Sequence, residues 1–238
     1  MFLTHRAQDD KLIRRLDPSY WHTGYDEVLA GCQLPLRPLG EFIDHITYGA
    51  IVTGRRPQMT RGGIPMIGQG ALGTSGVDMA GAVHVARGSP WAIERAMVRR
   101  GDLLIARSGA GSLERNRLAV YHAEEPAVVD CFVDLVRLGG LDPDYVAAFL
   151  RTRFGWAQIH RLLNGVGPAN LSFDEIRSLQ VPPCPALERQ VADRHLAEVL
   201  LLHRARLFDE ASEAVRGLVA DLEAALAAGR DRLRPAGR

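Results

Sequence analysis

Leu179-Gln180-Val181-Pro182-Pro183-Cys184-Pro185-Ala186-Leu187-Glu188-Arg189-Gln190 divides the chain into two unlike parts. Before it lies a Gly-rich sequence with mixed strand and helix patterning; after it the pattern is helical to Leu226. Prolines 182, 183 and 185 cannot sit inside a helix or a central strand, and they bias the residues before them towards extended backbone. The reading is a stiff hinge between a mixed α/β body and a long C-terminal helix.

Downstream of the hinge, Leu201, Ala205, Phe208, Ser212, Val215, Val219, Leu222 and Leu226 recur at alternating spacings of four and three. That is a heptad seam, interrupted upstream by Arg194 and Glu198. One amphipathic helix cannot bury such a stripe alone. A coiled-coil-like spacer is therefore expected over residues 182–232, with Leu201, Phe208, Val215, Val219, Leu222 and Leu226 facing a partner helix or a second copy. Gly229 and Pro235 stop it, and residues 233–238 are expected to be a disordered tail.

Upstream, residues 1–36 read as a lead-in segment and 37–181 as the body. Gly62 to Gly68 reads as a short strand after a turn, and Gln69 to Gly81 as a long Gly/Ser/Thr-rich loop. Val83–Val85, Asp102–Ala106, Leu118–Tyr121 and Ala127–Leu138 read as strands. Helical character is expected over Pro90–Arg99. Asp142-Pro143 starts a helix, with Asp142 as N-cap and proline in the first turn. A second helix covers Trp156–Leu163, and Ser172 with Glu175 forms a capping box.

The 238 residues are 47% hydrophobic and 24% charged, an ordinary soluble composition that can bury a real core. No apolar run is long enough to span a membrane, and Met1 to Leu12 lacks a signal-peptide core, so a cytoplasmic location is expected. Cys32, Cys131 and Cys184 form neither a disulfide framework nor a zinc motif. The eight histidines show no metal spacing either, and His195 and His203 are expected to be solvated on the helical rod.

The net charge of +1 is unevenly spread. Between Ile51 and Val120, ten arginines (55, 56, 61, 87, 95, 99, 100, 107, 115, 117) face four acids (Asp78, Glu94, Asp102, Glu114), leaving +6. From Pro182 onward, nine arginines balance nine acids. A basic body on a neutral helix suits a polyanion-binding module.

The order of features resembles a target-recognition domain of the specificity subunit of type I restriction–modification systems. The matching pieces are Arg15-Leu16-Asp17-Pro18-Ser19-Tyr20-Trp21; Leu39-Gly40-Glu41-Phe42-Ile43; Gly63-Ile64-Pro65-Met66-Ile67; Arg100-Gly101-Asp102-Leu103-Leu104-Ile105-Ala106 with Ser108-Gly109; Pro143-Asp144-Tyr145-Val146 with Phe149-Leu150; Asn170-Leu171-Ser172 with Ile176; and Val181 to Pro185 with Glu188-Arg189-Gln190. The resemblance implies an α/β recognition domain for one half of a bipartite double-stranded DNA site, and a helical spacer that docks a methyltransferase subunit. It places S-adenosylmethionine in that partner, and ATP and magnesium in any restriction subunit, with no cofactor in this chain. The usual subunit carries two recognition domains and two spacers, whereas one of each is present here. A homodimer through the C-terminal helix, a fragment, and a pairing with a different half all remain open.

The residues themselves argue against a catalyst. A carboxylate–lysine nuclease needs a lysine after its second acid, and Lys11 is the only lysine. An adenine-N6 methyltransferase needs an Asn/Asp-Pro-Pro-aromatic loop, and Val181-Pro182-Pro183-Cys184 lacks both ends of it. Ser108 to Ser112 lacks the Gly-Lys-Ser/Thr ending of a phosphate loop. For DNA, Arg55, Arg56, Arg61, Arg115 and Arg117 are the expected phosphate contacts, with Ser108 in the Gly-rich loop beside them. Gln69, Arg87, Arg107 and Asn116 are the expected base readers, since Arg suits guanine and Asn or Gln adenine. Two other classes fit the same outline: a helical adaptor or decoy that binds the methyltransferase without reading DNA, and a small dimeric hydrolase or transferase.

Overall fold

Strands that alternate apolar side chains on both faces must be covered on both faces, and that requirement organises this molecule. The computed structural model describes residues 24–54, 57, 59–107, 117–163 and 171–234. Its central sheet has the order β2 (Ile43–Tyr48), β9 (Val133–Leu138), β6 (Leu103–Ala106), β7 (Leu118–Val120), every neighbouring pair antiparallel. Leu103, Ile105, Leu118, Val120 and Val136 point to one core, while Leu104, Ala106, Ala119, Val133 and Leu135 point to another.

The second core is closed by a sheet ordered β4 (Val83–Val85), β3 (Ile64–Ile67), β8 (Ala127–Val129), β5 (Met97–Val98). Here β3 runs parallel to β8, and the other pairs are antiparallel. The first core is closed by helices: α1 (Gly24–Ala30), α2 (Pro143–Arg151), α3 (Arg153–Leu162) and α4 (Phe173–Ser178). A short antiparallel pair, β1 (Arg37–Pro38) with β10 (Gln180–Val181), ties the start of the body to its end. The expected mixed α/β class is what is found.

Local signals explain the helix starts. Asp142 accepts from the Tyr145 amide at 3.0 Å with Pro143 in the first turn. Ser172 and Glu175 make both bonds of the capping box. The helix expected over Pro90–Arg99 is instead a 3-10 turn, Glu94–Ala96, leading directly into β5, because Met97 and Val98 are drawn into the sheet beside β8. The lead-in segment contains helix α1; its motif at residues 15–21 lies outside the described residues.

The C-terminal part corrects the expectation of one rod with an unpartnered stripe. The chain forms α5 (Pro185–Arg194), a π-helical turn (His195–Val199) and α6 (Leu200–Arg204), then reverses and returns as α7 (Phe208–Ala227). The reversal falls at Arg206, which holds the left-handed φ of 62°, a conformation uncommon for a side-chain-bearing residue. The apolar stripe then packs inward. Ala211, Val215, Leu218, Leu222, Ala225 and Leu226 are buried, and Leu187, Val191, Leu218 and Leu222 share a core with Tyr145 and Phe149. Val219 packs at its margin, Phe208 lies edge-on to His203, and Leu201 remains 60% exposed.

Polar bonds fix this hairpin. Arg194, which breaks the heptad pattern, bonds Asp221 at 2.6 Å and Glu198 at 3.1 Å. Gln190 receives the Leu233 amide and donates to the Asp231 carbonyl, each at 3.0 Å. Leu233 is thus held against the body instead of belonging to a free tail. Pro182 acts as a buried corner more than as a hinge, the Tyr145 hydroxyl donating to its carbonyl at 2.6 Å, while Pro183 is half-buried and Pro185 exposed.

Because the stripe is used internally, Leu222→Ala should cost about 2–5 kcal/mol and lower the melting temperature by roughly 4–15 °C. Thermal unfolding followed across a tenfold range of protein concentration checks the mechanism: the midpoint should not move. A concentration-dependent midpoint would mean that the stripe lies between chains.

Candidate nucleic-acid interface

Strand direction sorts the sequence-expected residues into two groups. The tight turn at residues 130–132, between β8 and β9, sits at one end of the sandwich. At that end Asp130 bridges to Ala50, and its amide donates to the Ile67 carbonyl at 2.9 Å. The same end carries Tyr48, which closes β2 opposite Asp134, and Arg107, whose amide donates to the Phe132 carbonyl at 2.8 Å. Gln69 follows β3 there, Arg95 precedes β5, and Arg117 precedes β7, its carbonyl receiving the Ala106 amide at 2.9 Å.

Arg61 and Arg87 flank the paired positions Ile64 and Val85 and so lie at the opposite end. Both are exposed. Arg55, Arg56, Ser108, Arg115 and Asn116 lie outside the described residues. The structure therefore brings together Gln69, Arg107 and Arg117 from the expected set and separates Arg61 and Arg87 from them.

The cluster at the first end is built from side chains of four elements. The Arg107 guanidinium lies 3.8 Å from the centre of the Tyr48 ring and 5.9 Å from that of Phe173 at the start of α4. The two rings are 5.8 Å apart. Arg95, 5.2 Å from the Tyr48 ring, donates to the Tyr48 carbonyl at 2.8 Å and to the Thr47 hydroxyl. Such cation–aromatic stacking holds a guanidinium plane in place without neutralising it. A shallow depression lined by Ala50, Ile51, Val52, Thr53, Ile93 and Arg95 adjoins it; Ile51 and, in the turn at residues 130–132, Phe132 are exposed. Gly49 is required at this junction: a Cβ there would fall 2.0 Å from the Val129 carbonyl oxygen.

Beneath Arg107 lies Asp134, fully buried, with the Arg107 Nε at 3.9 Å its nearest cation among the described residues. Neither of its carboxylate oxygens has a hydrogen-bond partner among the described residues. Burial raises its pKa to about 7, with Arg107 pulling the other way. Burial likewise raises the pKa of Asp130, against the Phe132 amide that its side chain accepts. Sequence reading missed Tyr48, Arg95, Asp134 and Phe173 as a unit. They come from strand, turn and helix positions far apart in the chain, and no spacing links them.

A second polar cluster sits at the other end, and it corrects the expectation that His195 and His203 are solvated. His122 follows β7, Asp144 lies in the first turn of α2, and His195 opens the π-helical turn. His122 Nε2 is 3.0 Å and His195 Nε2 3.6 Å from Asp144 Oδ1, and the two rings stack at 5.3 Å. Their side chains are 14%, 12% and 10% exposed for His122, His195 and Asp144. His203 bonds the Ser75 hydroxyl through Nδ1 at 3.0 Å. Burial pushes His195 down to about 4 against the opposing pull of Asp144. The half-buried Arg151, pushed down to about 10 by desolvation, is held by the Leu118 and Ala147 carbonyls at 2.6 and 3.2 Å.

No protein-family model matches this chain, and no curated protein matches it. Solved structures do. One, addressing complex assembly and conformational transition of the type I R-M system, holds a chain 17% identical with a TM-score of 0.46, the match covering 94% of this chain and 52% of that one. The HsdS subunit from Thermoanaerobacter tengcongensis is 17% identical with a TM-score of 0.43, over 85% of this chain and 50% of that one. The type I restriction–modification S subunit from M. genitalium is 11% identical with a TM-score of 0.43, over 68% of this chain and 38% of that one. This chain thus spans about half the length, or less, of the chains it is similar to. Among the described residues, no helix is long and apolar enough to cross a membrane.

Asp134 yields a pH-dependent prediction. Its carboxyl is protonated in both folded and unfolded states below about pH 4 and ionised in both above about pH 7. The ionisation-linked cost of its burial is therefore absent in acid, and it grows between those limits as ionisation becomes easier in the unfolded chain. Asp134→Asn should raise the melting temperature at pH 8 by about 4 °C or more, and the gain should shrink towards zero at pH 4. Melting curves of both proteins across that range test it.

Proposed function

We propose that this chain is a DNA sequence-specificity subunit. It reads one half of a bipartite double-stranded target, brings an adenine-N6 methyltransferase to it, and carries no chemistry itself. The observation that carries the reading is the Arg107–Tyr48–Arg95 stack at the end of the sandwich where Gln69 and Arg117 also lie. Fixed guanidinium groups beside aromatic rings, on a rigid two-sheet platform, supply what DNA requires: cations that attract phosphates and planar donors that meet guanine edges two bonds at a time. Loops supported this way are held in register by the sheets behind them. The ordered sequence motifs support the same reading.

In this proposal S-adenosylmethionine belongs to the methyltransferase, and ATP and magnesium belong to a restriction subunit where one joins. The helical hairpin supplies the docking element, because Leu196 and Leu201 stay 52% and 60% exposed along its first arm. Apolar side chains of this size are ones a partner subunit would cover.

The two-ended geometry gives a discriminating test. Arg95→Ala combined with Arg117→Ala should weaken binding to DNA of any sequence. It should also flatten the slope of log affinity against log salt by about 1 per lost phosphate contact. Arg61→Ala combined with Arg87→Ala, at the far end, should leave the slope unchanged. Fluorescence anisotropy with duplex DNA from low to physiological salt reads both. Equal losses from the two pairs, or no salt-dependent affinity in the parent chain, would overturn the assignment.

A further inference from the structure

The His122–Asp144–His195 cluster is separate from the end assigned to DNA, and the reading above makes no use of it. Three elements meet there. His122 leaves the central sheet after β7, Asp144 rides on α2, and His195 is carried by the first arm of the helical hairpin. The three donor atoms lie within 4.8 Å of one another. The two distances to Asp144 Oδ1, 3.0 and 3.6 Å, bracket the roughly 3.3–3.5 Å that separates ligands of an ion bound tetrahedrally at about 2.0–2.1 Å.

Two further observations point to a ligand. His195 Nε2 is buried and lacks a hydrogen-bond partner among the described residues; a buried polar atom left this way is costly unless something fills its vacancy. The π-helical turn that begins at His195 also inserts an extra residue into the arm at this point. Such bulges cost helix regularity and cluster at functional positions.

We infer that His122, Asp144 and His195 form a binding site for a divalent transition-metal ion of the zinc class, fastening the helical hairpin to the sheet. Two imidazoles and one carboxylate are a donor set that zinc, cobalt and nickel take and that magnesium and calcium do not favour. His122 also lines a cavity of about 330 Å³ together with Gly76, Val77, Tyr121, Leu200 and His203, so water or a small anion can complete the coordination. Arg151 is the opposing charge nearby. Its guanidinium is committed to the Leu118 and Ala147 carbonyls, and its cation offsets part of the attraction that Asp144 supplies. That places the affinity below that of an all-thiolate structural zinc site.

Because the ion would bridge body and hairpin, binding should stabilise the fold as well as occupy the site. The test uses the full chain, stripped with a chelator and titrated with cobalt(II) and with zinc. The expected result is one ion per chain. Cobalt should give the visible absorption of a low-coordinate ion that zinc displaces, and zinc at 100 times its Kd should raise the melting temperature by about 5 °C or more. His195→Ala should weaken binding by about 10-fold or more. His122→Asn, at the more accessible edge of the cluster, should do the same and guards against a misfolded His195 variant; circular dichroism of both confirms the fold. His160→Ala, on the exposed face of α3, should change nothing. Absence of saturable binding at micromolar metal would overturn the site. So would binding that survives unchanged in both cluster variants. DNA affinity can stand or fall independently of either result.

Discussion

Everything in this molecule hangs on the need of the β2-β9-β6-β7 sheet to be covered on both faces. Its strands are short, yet nearly every side chain of β6, β7 and the first half of β9 is buried. One face takes the second sheet and the other takes the helices, including the returning arm of the C-terminal hairpin. At roughly 25 cal/mol for each Å² of apolar surface removed from water, side chains such as Leu104, Leu135, Phe149 and Leu222 dominate what holds the chain together. The loops at either end inherit their positions from this frame.

The two ends put that rigidity to different uses. At one, the turn linking the two sheets sets Tyr48, Arg95 and Arg107 side by side, with a buried carboxylate under the stack. Asp134 is expensive to keep there: its neighbour Arg107 is too distant for a good hydrogen bond, and burial raises its pKa towards neutrality. A cost of this kind, next to cations facing outward, is common where a site is arranged for binding more than for stability. At the other end the hairpin closes over the sheet through histidines, a carboxylate and a half-buried arginine, a junction more polar than the rest of the core.

Much of the fold was legible in the sequence. Continuous apolar runs marked β6 and β7, a Pro-preceded N-cap marked α2, and the Ser172–Glu175 pair marked α4. What the sequence could not show was the fate of the last 50 residues. A four-three spacing of apolar residues fits a coiled coil, and it fits equally a helix laid against its own body. Only the reversal decides between them, and it occurs at Ala205-Arg206-Leu207, which contains neither glycine nor proline. The charges that broke the heptad pattern were informative in hindsight: Arg194 is the residue that pairs the two arms.

The candidate site was legible only as a charge excess. Counting arginines marked the body as basic, but the sandwich ends split that set, placing Arg61 and Arg87 away from Arg107 and Arg117. Arg107 proved to be stacked and supported by neighbours from β2 and α4, which no spacing rule connects. The histidine cluster was invisible for the same reason, its members separated by 22 and 51 positions.

The most direct measurement of the central claim is single-molecule sequencing of N6-methyladenine in the host genome, with the gene intact and with it deleted. The account predicts that methylation at one split motif disappears on deletion and returns with the intact gene. It further predicts that the Arg95→Ala/Arg117→Ala chain fails to restore it. An unchanged methylation pattern after deletion, with the methyltransferase still expressed, would contradict the specificity role.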